Sequence, residues 1–209
     1  MFFEPTKGDH GLPKNPFNSL VIPRPIGWIT SLDKEGNVNL APYSFFNAVA
    51  YRPPTVMFSA GYSEVEDDTL KDSLRNVLET GEFVHNVSTW DTRDAMNATS
   101  ESFKKDVDEL KEAGLTPLPS KLVKPPRVAE SPIHLECKCI GSYDVPHARP
   151  QDKYTVVFGE VVGIHIDDAF ITDEGLIDVA KLHPIGRLGY QDYAAVNGDV
   201  SFTMKWPDR

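Results

Sequence analysis

The sequence predicts a mainly β chain with helical insertions, built as an antiparallel barrel or sandwich. Six runs read as strands, at 25–32, 38–48, 55–60, 82–88, 133–144 and 154–166, with apolar residues recurring at the period of two that sends alternate side chains to opposite faces. Helical patterns gather mainly in the middle of the chain and do not alternate regularly with the strands, which argues against a doubly wound sheet. A length of 209 residues with 40% hydrophobic and 25% charged content suits one globular domain spanning 1–209 with a proper core.

Residues 1–20 form a polar lead-in containing proline and glycine, expected to wrap the surface. In the first strand Ile26, Trp28, Thr30 and Leu32 alternate with Gly27, Ile29 and Ser31, and Asp33 to Asn37 supplies turn chemistry. The second run reaches Pro42-Tyr43-Ser44-Phe45-Phe46-Asn47, where aromatic rings are interleaved with a hydroxyl and an amide. Such a shelf suits a flat heteroaromatic ligand, with rings covering its faces and polar groups meeting its edge. Pro53-Pro54 breaks the chain before the third strand.

A helix is expected over 69–80, with Leu70, Leu74, Val77 and Leu78 on one face, Asp67 and Asp68 at its start and Gly81 after its end. Strand 82–88 sends Phe83, His85 and Val87 to one face and Val84 and Asn86 to the other. Residues 89–127 read as a helical insert and connector. Thr89 to Asn97 is helix-like, Phe103, Val107 and Leu110 mark an amphipathic helix stopping at Gly114, and four prolines extend 115–127. The loop DVPHARPQDK joins the two last long strands. The first of them carries Cys137 and Cys139 on one face with Ile133, Leu135 and Tyr143, read as small core residues in preference to a redox pair. A helical pattern over 175–182 precedes Arg187 to Tyr193, a basic and aromatic segment that would close over a site, pack at a subunit boundary or form a plain surface loop.

A net charge of −10 without a local basic patch argues against nucleic acid as a partner. No apolar run approaches a membrane span and the amino terminus has no apolar signal core, so no membrane association and a cytoplasmic location are expected. Nucleophile-elbow, zinc-protease, phosphate-loop and dinucleotide fingerprints are missing, and no metal site is expected.

Several polar residues carry two readings. Lys71-Asp72-Ser73, at the first turn of a helix, offers an ammonium, a hydroxyl and unpaired amides to a phosphate, or simply faces solvent. Arg24 is restricted by Pro25 and either addresses a ligand or is solvated. Asn86 meets a ligand edge or a neighbouring backbone group. His165 ends a strand face whose Gly159 and Gly163 leave room for a ring, or is a satisfied strand-end histidine followed by a turn at Asp167-Asp168.

Taken together, PRPIGW (23–28), NLAPYSFFNAV (39–49), PP (53–54), KDSLRN (71–76), GEFVHN (81–86), PPRVAESP (125–132), GEVVGIHIDD (159–168) and RLGYQDY (187–193) resemble the flavin reductase-like domain family of FMN-binding split barrels, which includes flavoprotein monooxygenase reductase components. The resemblance covers nearly the whole chain from about residue 20 onward. It implies a six-stranded antiparallel split β-barrel, a homodimer, and FMN as cofactor. By position, Arg24, Thr30, Ser44, Phe45, Phe46 and Asn47 would line the flavin, Lys71, Asp72 and Ser73 would serve its phosphate, and Asn86 would meet its polar edge. His165, Arg187, Tyr190 and Tyr193 would border the substrate side, where NADH or NADPH delivers a hydride. Such chemistry needs no catalytic acid or base. A separate acceptor, such as a flavin-dependent monooxygenase, would take the reduced flavin or its electrons. A non-releasing FMN electron carrier, a ferric reductase and a non-enzymatic FMN-binding protein are the alternatives. Two departures stand out: Ser73 replaces a threonine common in the family, and Tyr190 replaces a second glycine and would narrow the substrate side.

Overall fold

The computed structural model describes residues 1–61, 70–101, 108–147 and 152–205. In chain order the strands are β1 (Arg24–Pro25), β2 (Gly27–Leu32), β3 (Val38–Tyr43), β4 (Phe46–Tyr51), β5 (Pro54–Gly61), β6 (Glu82–Val87), β7 (Pro117–Leu118), β8 (Arg127–Val128), β9 (Ile133–Val145), β10 (Tyr154–Ile166), β11 (Ile185–Arg187) and β12 (Tyr193–Ala195). The helices are α1 (Asp72–Thr80), α2 (Arg93–Ala98), α3 (Glu109–Glu112) and α4 (Val179–Leu182).

Seven strands form one antiparallel sheet in the order β3-β2-β6-β9-β10-β5-β4. Its edges are β3 and β4, yet only Ser44 and Phe45 separate them in sequence. Laid flat, those edges would stand roughly 30 Å apart at the usual strand spacing, so the sheet has to curl until they meet. The core shows that it does: Ile29, Tyr43, Phe46, Phe58, Phe83, Cys137 and Val157, one from each of the seven strands, belong to a single buried cluster. No β3–β4 pairing closes the seam among the described residues, which makes the barrel a split one.

All six expected runs contain strands, and the one over 38–48 is divided. Tyr43 pairs with Gly27 on β2, whereas Phe46 pairs with Phe58 on β5. Both side chains reach the same core although they are three residues apart, which a continuous strand of period two cannot arrange.

A second core lies on the outer face of the sheet. There Ile26, Trp28 and Leu40 pack with Met96 of α2, Leu110 of α3, Leu115 and Val128, so the insert covers this face. Trp28 Nε1 donates to Thr99 Oγ1 at 2.9 Å. The fully buried Glu136 carboxylate accepts the backbone N–H groups of Lys121, Leu122 and Val123 at 2.6–3.2 Å, tying the connector to β9. A small sheet, β1-β11-β12, brings residues 185–195 beside Arg24.

Several boundaries differ from the sequence reading. α1 starts at Asp72 with Lys71 as its N-cap, while Asp67, Asp68, Phe103 and Val107 lie outside the described residues. Leu74 and Val77 are buried, but Leu78, on the flank of that face, is 44% exposed. Residues 89–92 form a turn held by the Thr89 and Thr92 hydroxyls, so the helix-like run narrows to α2. Tyr143 leaves the core face because the β9–β10 register shifts between Phe158 and Gly159, and an extra residue in one strand inverts the alternation beyond it. Cys137 stays in the core, where burial pushes its thiol up and suits it to packing.

Candidate functional site

Where the edges of the sheet approach, the Ser44–Phe45 link, β4, β5 and the segment 17–25 enclose a cavity of about 370 Å3. Arg24, Ser44, Phe45, Phe46 and Asn47 all line it, together with Pro23, Pro25, Met57, Ser59 and Val156. Phe46 is fixed from behind: its ring lies 4.3 Å from that of His85, which points inward from β6 as the strand alternation requires. Burial and the neighbouring His134 lower the His85 pKa to about 3, so this imidazole is a neutral packing group. Phe45 meets Tyr154 edge-on at 6.0 Å, and its ring faces the Arg24 guanidinium at 5.8 Å. Asn47 uses its amide oxygen on the Ala48 N–H. The cavity therefore combines ring faces with a few polar groups, the make-up of a site for a flat polar-edged ligand.

Thr30 and Asn86 sit elsewhere, fully buried under the insert. The Asn86 amide donates to Thr30 Oγ1 at 2.6 Å and to the Trp28 carbonyl at 3.1 Å, and its oxygen accepts the Val128 N–H at 2.8 Å. This pair joins β2, β6 and β8, and its hydrogen-bonding capacity is used inside the fold.

The start of α1 borders a different, smaller cleft of about 80 Å3, lined by Lys71 and Asp72 with Asn39, Pro42, Tyr43, Glu101 and Glu109 among others. The amides of Asp72 and Ser73 precede the first intrahelical bond, from Arg75 N to Lys71 O. Ser73 itself points inward: its hydroxyl accepts from Asn39 Nδ2 at 2.6 Å and reaches Tyr43. Burial pushes the Glu109 carboxyl up to about 7, while a hydrogen bond from the Leu40 N–H opposes the shift and the negative charges of Asp72 and Asp108 add to it.

His165 stands near the far end of β10, about 30 Å of strand from Val156 on the cavity wall. Its Nε2 bonds Glu136 Oε1, and Asp167 caps the turn that follows. The room expected beside it is filled, since a Cβ at Gly159 would meet the Phe83 ring at 2.3 Å and one at Gly163 would meet Leu122 at 3.3 Å. Arg187 bonds the Tyr193 hydroxyl and the Tyr190 carbonyl within its own segment. Tyr190 adopts a left-handed φ of 54°, the conformation a glycine would favour, and Lys14 lies over its ring; it is not among the residues lining the cavity.

Sequence reasoning missed the contributions of residues 17–23, Met57, Ser59 and Val156 to the cavity, and of Asn39, Tyr43 and Glu109 to the α1 cleft. Local patterning marks Met57 and Val156 as strand residues but cannot say that β5 and β10 pass beside the 44–47 link.

A split barrel with a cavity at its open seam is the class of protein defined by this fold and site. The chain belongs to the flavin reductase like domain family, whose model matches residues 18–183. Among solved structures it is similar to nitrilotriacetate monooxygenase component B from Bacillus cereus, with a TM-score of 0.86 and 30% identity over 98% of each chain. It is also similar to the 2-nitrobenzoate 2-nitroreductase of Pseudomonas fluorescens, with a TM-score of 0.78 and 30% identity, covering 92% of this chain and 91% of the other. An uncharacterized protein from Aquifex aeolicus (strain VF5) is 40% identical over 188 residues, 88% of this chain and 90% of the relative. No helix among the described residues is long and apolar enough to cross a membrane.

Proposed function

We propose that this chain is an FMN-binding oxidoreductase that uses NADH or NADPH to reduce flavin and passes reduced flavin, or its electrons, to a separate acceptor such as a flavin-dependent monooxygenase. The observation that carries this reading is the convergence of Arg24 and Ser44–Asn47 on one cavity beside apolar side chains. Family membership and the likeness to a monooxygenase component and a nitroreductase support the same chemistry.

The residues fit a flavin ring. Phe45, Phe46, Met57 and Val156 offer apolar contact and exclude water from one face, while Ser44, Asn47 and Ser59 supply polar groups at an edge. Arg24 Nε is buried and has no partner among the described residues, a donor available beside the ring. Bound FMN supplies two-electron acceptance, chemistry that no side chain here has. The chain's part is to bind, orient and keep one ring face dry, and no residue serves as a catalytic acid or base. Lys71 and the Asp72 amide, which border the α1 cleft, would hold the phosphate, with the wholly buried Ser73 behind them. Pro42 and Tyr43 line that cleft and Ser44 to Asn47 line the cavity, so one continuous link borders both. Thr30 and Asn86 lie outside that cavity and pin β2 to β6 and β8. Tyr190 lies outside the lining of this cavity and so does not narrow the space proposed for the ring.

A homodimer is part of the proposal. Val49 and Tyr51 on edge strand β4, Ile140 and Tyr143 on β9, and Ile164 on β10 are large apolar side chains left exposed on strands, the kind of surface a second copy would cover.

Anaerobic mixing of FMN-loaded protein with NADH or NADPH tests the reading: the oxidised flavin spectrum should bleach with at least one of them. Bound FMN that stayed oxidised with both would end the reductase assignment. Reduced FMN that remained on the protein through filtration would assign it to electron carriers instead.

A further inference from the structure

The Arg24 guanidinium holds its own chain. Nη1 donates to the carbonyls of Asn18 and Val21, the second at 2.7 Å, and Nη2 donates to the carbonyl of Leu188 at 3.0 Å. The first two acceptors belong to the strap 17–23, which contributes Phe17, Asn18, Val21 and Pro23 to the cavity wall. Leu188 belongs to the turn after β11, closed by hydrogen bonds between Leu188 N and Asp192 O and between Asp192 N and Gly189 O, both 2.9 Å. Strap and turn touch again at Gly189. A Cβ built there would lie 2.0 Å from Ser19 Oγ and 2.6 Å from Ser19 Cβ, and the glycine has no left-handed φ. Its missing side chain thus serves close approach and leaves backbone conformation aside.

We infer that Arg24 and Gly189 are positioning residues that seat the 17–23 strap on the 188–192 turn and so hold up one wall of the ring cavity. The inference rests on reading that cavity as the ligand site. Two independent contacts carry it. A planar guanidinium reaches acceptors in two segments at once, which the compact lysine ammonium cannot reproduce at equal charge. The Gly189 seat is steric and involves no charge. Arg24 also faces Phe45, so the strap, the turn and the aromatic wall share one fixed point.

Arg24→Lys and Gly189→Ala separate this role from that of a charge meeting a ligand. Hydrogen exchange of a peptide covering residues 15–23, measured on full-length protein without added flavin, should be about tenfold faster in both variants, because losing charge-assisted bonds or the close seat raises the population of the open strap. Peptides from β9 and β10 should exchange as in wild type. In equilibrium titration, FMN should bind each variant at least about fivefold more weakly, as expected when a wall of the site is less often in place. Wild-type exchange in either variant would overturn the inference, and so would faster exchange with unchanged FMN affinity. A wild-type protein that bound no FMN would defeat the cavity reading itself, while the exchange measurement would still decide the latch.

Discussion

Thr30 with Asn86 and Ser44 with Asn47 are two pairs of a hydroxyl and an amide, built on neighbouring parts of the same β scaffold, and they have opposite fates. The first pair is completely buried and its bonds run to Trp28, Val128 and each other. The second lies at the seam of the barrel, where Asn47 is exposed and both residues line a cavity. Residue chemistry is the same in both, so what separates a structural pin from a ligand contact is whether a chain segment crosses overhead. The insert crosses over the first pair, and nothing among the described residues fills the cavity beside the second.

This contrast is open to attack by mutation. The largest effect should come from Asn86→Ala, which leaves the Val128 N–H and the Trp28 carbonyl buried without their present partner. A loss of about 3 kcal/mol in urea unfolding is expected, with FMN affinity per folded molecule unchanged. An FMN affinity that dropped while stability held would make Asn86 a ligand contact and erase the distinction. Phe45→Ala should do the reverse, weakening FMN binding by about tenfold through lost ring contact while stability moves by less than about 0.5 kcal/mol.

The α1 cleft gives a third, smaller test. Lys71→Gln should weaken FMN binding by roughly fivefold at low salt and leave riboflavin binding unchanged, since only FMN carries the phosphate. Equal losses for both ligands would remove the phosphate from α1. Glu109 in the same cleft has a folded-state pKa of about 7 against an ordinary value of 4.5. Between these values the folded protein holds more protons than the unfolded chain, so stability falls as pH rises from about 4.5 to about 7 and levels off above. Glu109→Gln should flatten that slope in urea midpoints taken across the range and raise stability relative to wild type above pH 7. The smallest effect is expected from His165→Gln, which stands far along β10 from the cavity and should leave the rate of flavin reduction unchanged in stopped-flow. A slower rate would return His165 to the substrate side.

Much of the barrel was legible because strand alternation is local. Phe83 and His85 point inward and Asn86 outward, as the period of two requires, and every expected strand run contains a strand. The break at Ser44–Phe45 was hidden, because it follows from Tyr43 and Phe46 lying on opposite edge strands, one paired with β2 and the other with β5. Tyr143 was misplaced for a related reason: a bulge is a property of two strands in register and leaves no mark in one of them. The polar residues were identifiable as unusual, but their partners lie far away in sequence, Asn86 bonding Thr30 and Arg24 bonding Leu188.

The sequence by itself determined the strand runs, the aromatic and polar shelf at 42–47, the amphipathic helix that ends before Gly81 and the family resemblance, all of which depend on neighbours a few residues apart. Only the tertiary structure decided which shelf residues face a cavity, that Ser73 turns inward, that His165 is remote from Val156, and that Arg24 grips the strap and the 188–192 turn. The physical reason is that burial and hydrogen-bond partnership are set by long-range closure of the sheet, and local periodicity carries no information about which distant segment arrives to cover a side chain.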